Sequence, residues 1–176
     1  METGLVESVL YLENEPINLN TLSKITKLTK TAVLEAIEKL KGEYSRPSHG
    51  LEIIETGGGF CFSPKENFRE VLKETYGCKY GKHLSRAALE TLSIIAYSQP
   101  VTRAEIERIR GVSADGMIRL LSEAGLIKEV GKKESPGRPI QYGTTKEFLV
   151  KFRLASIANL PKMDDTDRER FDPYDR

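Results

Sequence analysis

The sequence predicts a mostly α protein with small β-hairpin wings, made of two tandem copies of one helix-turn-helix module. Three observations predict it: an internal repeat, a pair of short capped helices across a glycine turn, and β-type sequence after each module's third helix. With Pro16 set over Pro100, an offset of 84, Ile17 falls on Val101, Leu22 on Ile106, Ile25 on Ile109 and Leu28 on Val112. Val33 then falls on Met117, Leu34 on Ile118 and Ile37 on Leu121, so every pair is apolar on apolar without a gap. Asn18 meets Thr102 and Thr29 meets Ser113, all side chains able to accept from the free N–H groups of a helix start.

The elements of the second copy follow in order. Ser85 caps a helix carrying Ala88, Leu89, Leu92, Ile95 and Ala96 at helical spacing, ended by Gln99-Pro100. Thr102-Arg103-Ala104-Glu105 is a capping box that opens a short helix to about Arg110, with Ile106 and Ile109 inward. Gly111-Val112-Ser113 makes a tight turn with Val112 as its one buried anchor, and a third helix over 114–124 buries Met117, Ile118 and Leu121 before Gly125 stops it. Residues 126–130 and 139–142 then flank a polar loop as a β-hairpin. In the first copy residues 51–56 and 60–62 flank Gly57-Gly58-Gly59 in the same way. A helix-turn-helix followed by such a hairpin is a winged helix. Ser63-Pro64-Lys65-Glu66 and Thr144-Thr145-Lys146-Glu147 read as capped starts of a further helix after each wing.

Loss of periodicity at Tyr76-Gly77-Cys78-Lys79-Tyr80-Gly81-Lys82 sets the boundary. The expected domains are 1–82, which would carry dimerisation, and 83–160, followed by a flexible charged tail over 161–176.

Composition narrows the function. The 176 residues hold 27 Lys and Arg against 26 Asp and Glu, a net +1 that gives no support to a non-specific nucleic-acid binder. By segment the balance is −1 over 1–82, +4 over 83–160 and −2 over 161–176, so any affinity for phosphates lies in the second module. No apolar run reaches the roughly 18 residues of a membrane span, and the start lacks a signal-peptide pattern, so the expected location is the cytoplasm, with Cys61 and Cys78 as reduced thiols.

A winged helix that reads DNA presents Arg, Lys, Asn or Gln from its third helix. Here the second copy offers Asp115, Gly116, Arg119, Ser122 and Glu123, and the first Thr31, Glu35, Glu38 and Lys39 beside Lys30. One Arg among carboxylates is poor equipment for a duplex, and these faces read as solvated or protein-facing. Lys128, Lys132, Lys133, Arg138 and Lys146 around the second wing leave weak DNA contact open. Gly57-Gly58-Gly59 lacks the Lys-Ser or Lys-Thr of a phosphate loop and reads as a hairpin turn. His49 and His83 have no ligand-spaced neighbours, and no metal, cofactor or catalytic signature is present, so the expectation is a non-enzyme. Ser135-Pro136-Gly137-Arg138-Pro139-Ile140-Gln141-Tyr142-Gly143-Thr144-Thr145 is more particular than a surface hairpin requires. It is either a wing locked onto its own domain or a partner contact. In the first module the net charge of −1 and the apolar wing residues Ile53, Phe60 and Phe62 suit a self-complementary dimer contact.

The segment from Leu84 through Tyr97, then Gln99-Pro100-Val101-Thr102-Arg103-Ala104-Glu105-Ile106, Ile109-Arg110-Gly111-Val112 and Pro136-Gly137-Arg138-Pro139 to Thr144-Thr145, resembles the segregation and condensation protein B family (ScpB). The likeness is dense from about Leu84 to Pro161 and looser over 1–82, and Ser98 stands where that family often has a basic residue. The resemblance implies tandem winged-helix domains and homodimerisation mainly through the first. It implies binding of the kleisin subunit, segregation and condensation protein A, and through it the SMC ATPase, in a nucleoid-associated complex that condenses and segregates chromosomes. Arg86, Arg103, Glu105, Arg138, Pro139, Tyr142 and Thr145 occupy signature positions and are the expected partner-binding residues, with Pro100 and Gly111 also in the pattern. A winged-helix transcription regulator is the alternative reading.

Overall fold

The structure is a computed structural model that describes residues 1–13, 15–76 and 84–162. It divides into two compact units, Met1–Lys82 with Val150–Ser156, and His83–Leu149 with Ile157–Arg176. Residues 150–156, expected with the second module, thus fall in the first unit. Most of the expected connector, with Cys78, together with His83 and the charged tail beyond Lys162, lies outside the described residues. Among the described residues no helix is long and apolar enough to cross a membrane.

The first unit contains α1 (Glu2–Leu12), α2 (Leu19–Thr26), α3 (Lys30–Tyr44), the hairpin β1 (Leu51–Thr56) and β2 (Gly59–Pro64), and α4 (Glu66–Tyr76). Asn18 accepts from Thr21 N at 2.9 Å and Thr29 from Ala32 N at 3.2 Å, so α2 and α3 each start on a side-chain cap. The hairpin turn runs through Gly57 and Gly58 at φ 58° and 76°, the left-handed pair that a two-residue turn needs to follow the twist of its strands. Ile17, just before α2, exchanges two backbone hydrogen bonds with Phe60 of β2, at 3.0 and 2.9 Å. That pairing closes the hairpin over the helices. Val6, Leu10, Leu22, Val33, Ile37, Leu40, Ile53 and Phe60 form the resulting core, each contributing about 1.5–3 kcal/mol on burial. Leu154 O, from the returning stretch, accepts from Gly57 N and the Thr56 hydroxyl at 3.1 and 3.2 Å.

The second unit contains α5 (Arg86–Ser98), β3 (Val101–Thr102), α6 (Arg103–Arg110), α7 (Asp115–Glu123), β4 (Ile127–Lys132), β5 (Ile140–Thr144) and the start of α8 (Lys146–Phe152), whose residues from Val150 on belong to the first unit, then a 3-10 turn at Ile157–Asn159. The sheet order is β3-β5-β4, antiparallel throughout, with Val101 opposite Tyr142 and Thr102 opposite Gln141. Val101 thus pairs with the second hairpin strand as Ile17 does, in agreement with the 84-residue offset. Ser85 accepts from Ala88 N at 3.2 Å, Gly111 ends α6 at φ 72°, and Gly125 follows α7 at φ 70°. Thr145 caps α8 by accepting from Phe148 N at 3.2 Å.

Four local expectations are corrected. After the glycine turn the repeat slips: α3 buries Val33, Ala36, Ile37 and Leu40, whereas α7 packs inward with Ala114, Met117, Ile118 and Leu121, an offset of 81. Three residues is close to one helical turn, so the ungapped register still laid apolar on apolar. The slip leaves Leu34 exposed at 41%; Ile25, which precedes it on α2, and Val112 in the turn are also exposed, at 47% and 57%. Ser63 is buried in β2, which pairs through Pro64 with Leu51, so it is not a helix cap. Ser113 does not cap α7, whose N-cap residue is Ala114. On α5, Leu89 stands out while Thr91 and Ile94 are buried, the Thr91 hydroxyl being satisfied by Ala87 O at 2.8 Å.

The Ile17 pairing gives a test of backbone approach. A Cβ on Gly59 would lie 2.8 to 2.9 Å from the backbone of Pro16 and Ile17, whereas one on Gly42 in α3 meets nothing within 4 Å. Gly59→Ala is expected to destabilise the first unit by about 1–3 kcal/mol and Gly42→Ala to stabilise it by about 0.5–1 kcal/mol. Opposite shifts of the urea midpoint of the full chain check this.

Candidate protein-binding groove

The most particular local structure in the second unit starts at Thr102, which is both the last residue of β3 and the N-cap of α6. Its hydroxyl accepts from Glu105 N at 3.4 Å, and Glu105 Oε2 accepts from Thr102 N and Oγ1 at 2.8 and 2.7 Å. The reciprocal box satisfies donors that a helix start leaves free. Glu105 Oε1 then accepts from Lys133 Nζ in the hairpin loop at 2.5 Å, so one carboxylate ties helix start to wing. Burial pushes the Glu105 carboxyl up, but Lys133 and the Thr102 donors outweigh it and hold the group below the ordinary carboxylate range.

With α6 so oriented, Arg103, Ala104 and Glu107 face the hairpin residues Pro139, Ile140 and Tyr142, and together these six line an open groove of about 330 Å³. The loop that presents Pro139 is tightly wound. Gly137 and Arg138 are both left-handed at φ 81° and 43°, Arg138 N donates to Ser135 O at 2.9 Å, and Lys133 N donates to Pro139 O at 2.9 Å. A left-handed non-glycine residue stores about 1–3 kcal/mol of strain, which the surrounding turn has to sustain. Burial, followed by the charge of Glu129, pushes the Tyr142 hydroxyl up, so it stays a neutral donor.

Glu107 organises the opposite wall. Its Oε1 accepts from Arg103 Nε at 3.0 Å, Ser113 Oγ at 3.2 Å and Ala114 N at 3.0 Å. The cap that Ser113 was expected to supply to α7 therefore comes from α6. Backbone N–H of Ala114 first, then Arg103, hold this carboxyl below its ordinary range. Arg103 also donates through Nη1 to Asp115 at the start of α7.

The structure brings three of the expected residues, Arg103, Pro139 and Tyr142, into one groove. Arg138 adjoins Pro139 with an exposed side chain. Glu105 is directed at Thr102 and Lys133, and the Thr145 hydroxyl donates to Gly125 O at 2.6 Å, so both position backbone. Arg86 is the exposed first residue of α5, and among the described residues it makes no recorded hydrogen bond or ion pair. Ala104, Glu107 and Ile140 were missed; the i,i+4 spacing of Arg103 and Glu107 was the readable signal for one of them. Ile53 and Phe60, expected at a dimer contact, are enclosed in the first unit's own core at 7% and 8% exposure. Phe62 is half-buried against the Tyr44 ring, with centroids 4.9 Å apart. The Tyr44 hydroxyl donates to the Glu7 carboxylate, which with burial pushes it up to about 12, and His49 lies against the same ring at 4.7 Å. On α7, Arg119 is held by Glu123 at 2.9 Å, and on α3 Lys41 by Glu38 at 2.8 Å.

The family model described as segregation and condensation complex subunit ScpB matches residues 4–163. A relative named segregation and condensation protein B from Caldanaerobacter subterraneus subsp. tengcongensis is 38% identical over 165 residues, covering 94% of this chain and 98% of its own. One of the same name from Geobacillus kaustophilus is 40% identical over 172 residues, covering 95% and 79%. A crystal structure of ScpB from Mycobacterium tuberculosis is 29% identical and covers 87% of this chain and 95% of its own, with a TM-score of 0.41.

Because Glu105 titrates below its unfolded value in the folded chain, its contribution is complete above about pH 5 and is lost as pH falls through the folded value. Glu105→Gln keeps an acceptor for Thr102 but loses the charge facing Lys133, at about 1 kcal/mol near pH 7. Urea midpoints measured from pH 7 to pH 3 are expected to fall more steeply for the wild type than for Glu105→Gln, the two converging at the acid end.

Proposed function

A chain matched from residue 4 to residue 163 belongs to the segregation and condensation complex subunit ScpB family, and from that premise we propose that it is a non-catalytic, homodimeric subunit of a condensin-like complex. It binds the kleisin subunit, segregation and condensation protein A, and reaches the SMC ATPase through it. It works in the cytoplasm on the nucleoid, in chromosome condensation and segregation. Each unit is a winged helix recruited for protein contact, the domains being 1–82 and 83–160, with residues 150–156 returning to the first, and the tail beyond them.

The observation that carries this reading is the groove between α6 and the hairpin, where an apolar floor of Ala104, Pro139, Ile140 and Tyr142 is edged by the charges of Arg103 and Glu107. An apolar centre with a polar rim suits a peptide segment that orders as it binds. The exposed side of α7 supports the same choice over a transcription regulator. Among the described residues Arg119 is the one cation on that side, and Asp115 and Glu123 bring negative charge where a duplex would lie. Lys128, Lys132 and Lys146 at the wing leave DNA contact at most weak or indirect. Dimerisation falls to exposed side chains of the first unit, such as Leu5, Tyr11 and Leu12 on α1, because Ile53 and Phe60 are enclosed.

Ala104 is exposed on α6, so Ala104→Arg fills the groove without disturbing the core. Titration of the purified kleisin subunit into the full chain by calorimetry is expected to show binding, lost with Ala104→Arg. Tyr142→Ala is expected to weaken it by about 2 kcal/mol, roughly thirtyfold. Light scattering of the free chain is expected to give twice the 19.8 kDa chain mass. Absence of heat and of co-elution with the kleisin would remove the proposal.

A further inference from the structure

The rim of the groove carries information about what the bound segment must present. Arg103 sits between two carboxylates that differ in kind. Glu107 is built into the fold: one oxygen takes Arg103 Nε, Ser113 Oγ and the Ala114 backbone N–H together, so it cannot leave without freeing the start of α7. Asp115 holds Arg103 through Nη1 alone, and both side chains are largely open to solvent, at 64% and 48% exposure. An exposed pair of that sort contributes little and exchanges readily.

The donor inventory points the same way. A guanidinium has five N–H donors, and among the described residues the structure shows two acceptors for Arg103, so its remaining donors are left for a partner. Arg138, next to the lining residue Pro139, is exposed and has no recorded side-chain partner among the described residues. Acceptors on this side are engaged by contrast: Glu105 by Lys133 and Thr102, Glu107 by its three donors. Residues 83–160 carry a net charge of +4, so the wider surroundings also favour an anion. From these contacts we infer that the groove selects a partner segment with an apolar side chain flanked by a carboxylate, the apolar group seating over Ala104, Pro139 and Tyr142 and the carboxylate replacing Asp115 on Arg103. Glu107 is then a positioning residue, holding Arg103 by Nε so that its terminal nitrogens face the incoming acid in the two-pronged geometry arginine offers. Asp115 acts as an internal placeholder for that acid.

This inference rests on the kleisin reading, and the experiment separates the two. The purified kleisin subunit is titrated into the full chain, wild type and Arg103→Met, Arg103→Lys, Asp115→Asn and the Arg103→Met/Asp115→Asn double variant, with thermal midpoints confirming folding. The inference expects Asp115→Asn to tighten binding several-fold by removing the competitor. Arg103→Met should weaken it tenfold or more, Arg103→Lys less, and Asp115→Asn should have no effect once Arg103 is gone. Weaker binding by Asp115→Asn in the wild-type background would mean that the rim selects a base and would overturn the inference. So would indifference to all the rim variants while Ala104→Arg still abolishes binding, an outcome that leaves the kleisin reading intact. A wild-type chain that does not bind the kleisin contradicts the reading itself, and the inference falls with it.

Discussion

Thr102 belongs to two structures at once, and the rest of the second unit depends on its doing so. As the end of β3 it lies opposite Gln141 beside the Val101–Tyr142 pair, and as the N-cap of α6 it closes a reciprocal box with Glu105. A residue fixed in both a sheet and a helix start leaves the angle between them no freedom, and it is 3% exposed, with its polar groups satisfied inside. Lys133 then joins the box from the hairpin loop, which sets the wall of Pro139 and Ile140 at a fixed distance from Ala104. The groove is the space that these constraints leave. The first unit uses the same device in shorter form: Ile17 pairs with Phe60 immediately before Asn18 caps α2.

How much of this could be read in the sequence depends on whether a feature has a period or a partner. The match of Ile17 to Val101 and Leu22 to Ile106 was legible because both copies need the same short extended segment and the same buried helix residue. The slip after the glycine turn was not, since moving a helix by three residues nearly restores its own pattern. Caps at Asn18, Thr29, Ser85 and Thr102 were legible, yet the same rule misplaced Ser63, because a Ser three residues before a Glu also fits a buried strand residue followed by a helix. The third sheet strand, two residues long, is too short to show alternation. At the site, Arg103, Pro139 and Tyr142 were legible from the family resemblance. Ala104 and Ile140 carry no chemistry that marks them, and Ile53 and Phe60 read equally well as surface or core until the hairpin is folded onto the helices.

The charge balance acquires a structural meaning. A third helix meant for a duplex is rich in cations; here Arg119 stands beside Glu123, and Glu107 and Asp115 gather at the turn that leads into α7. The basic excess of residues 83–160 lies largely around the hairpin, on Lys128, Lys132, Arg138 and Lys146, beside the groove rather than on α7.

The proposed partner surface is the α6–hairpin groove and not the exposed side of α7. A photo-crosslinking amino acid placed at Ala104 or at Arg119 of the full chain, with the kleisin subunit and duplex DNA both present, decides it. A kleisin adduct from position 104 and neither adduct from position 119 is the expected result; a DNA adduct at 119, or kleisin captured there and not at 104, overturns the proposal.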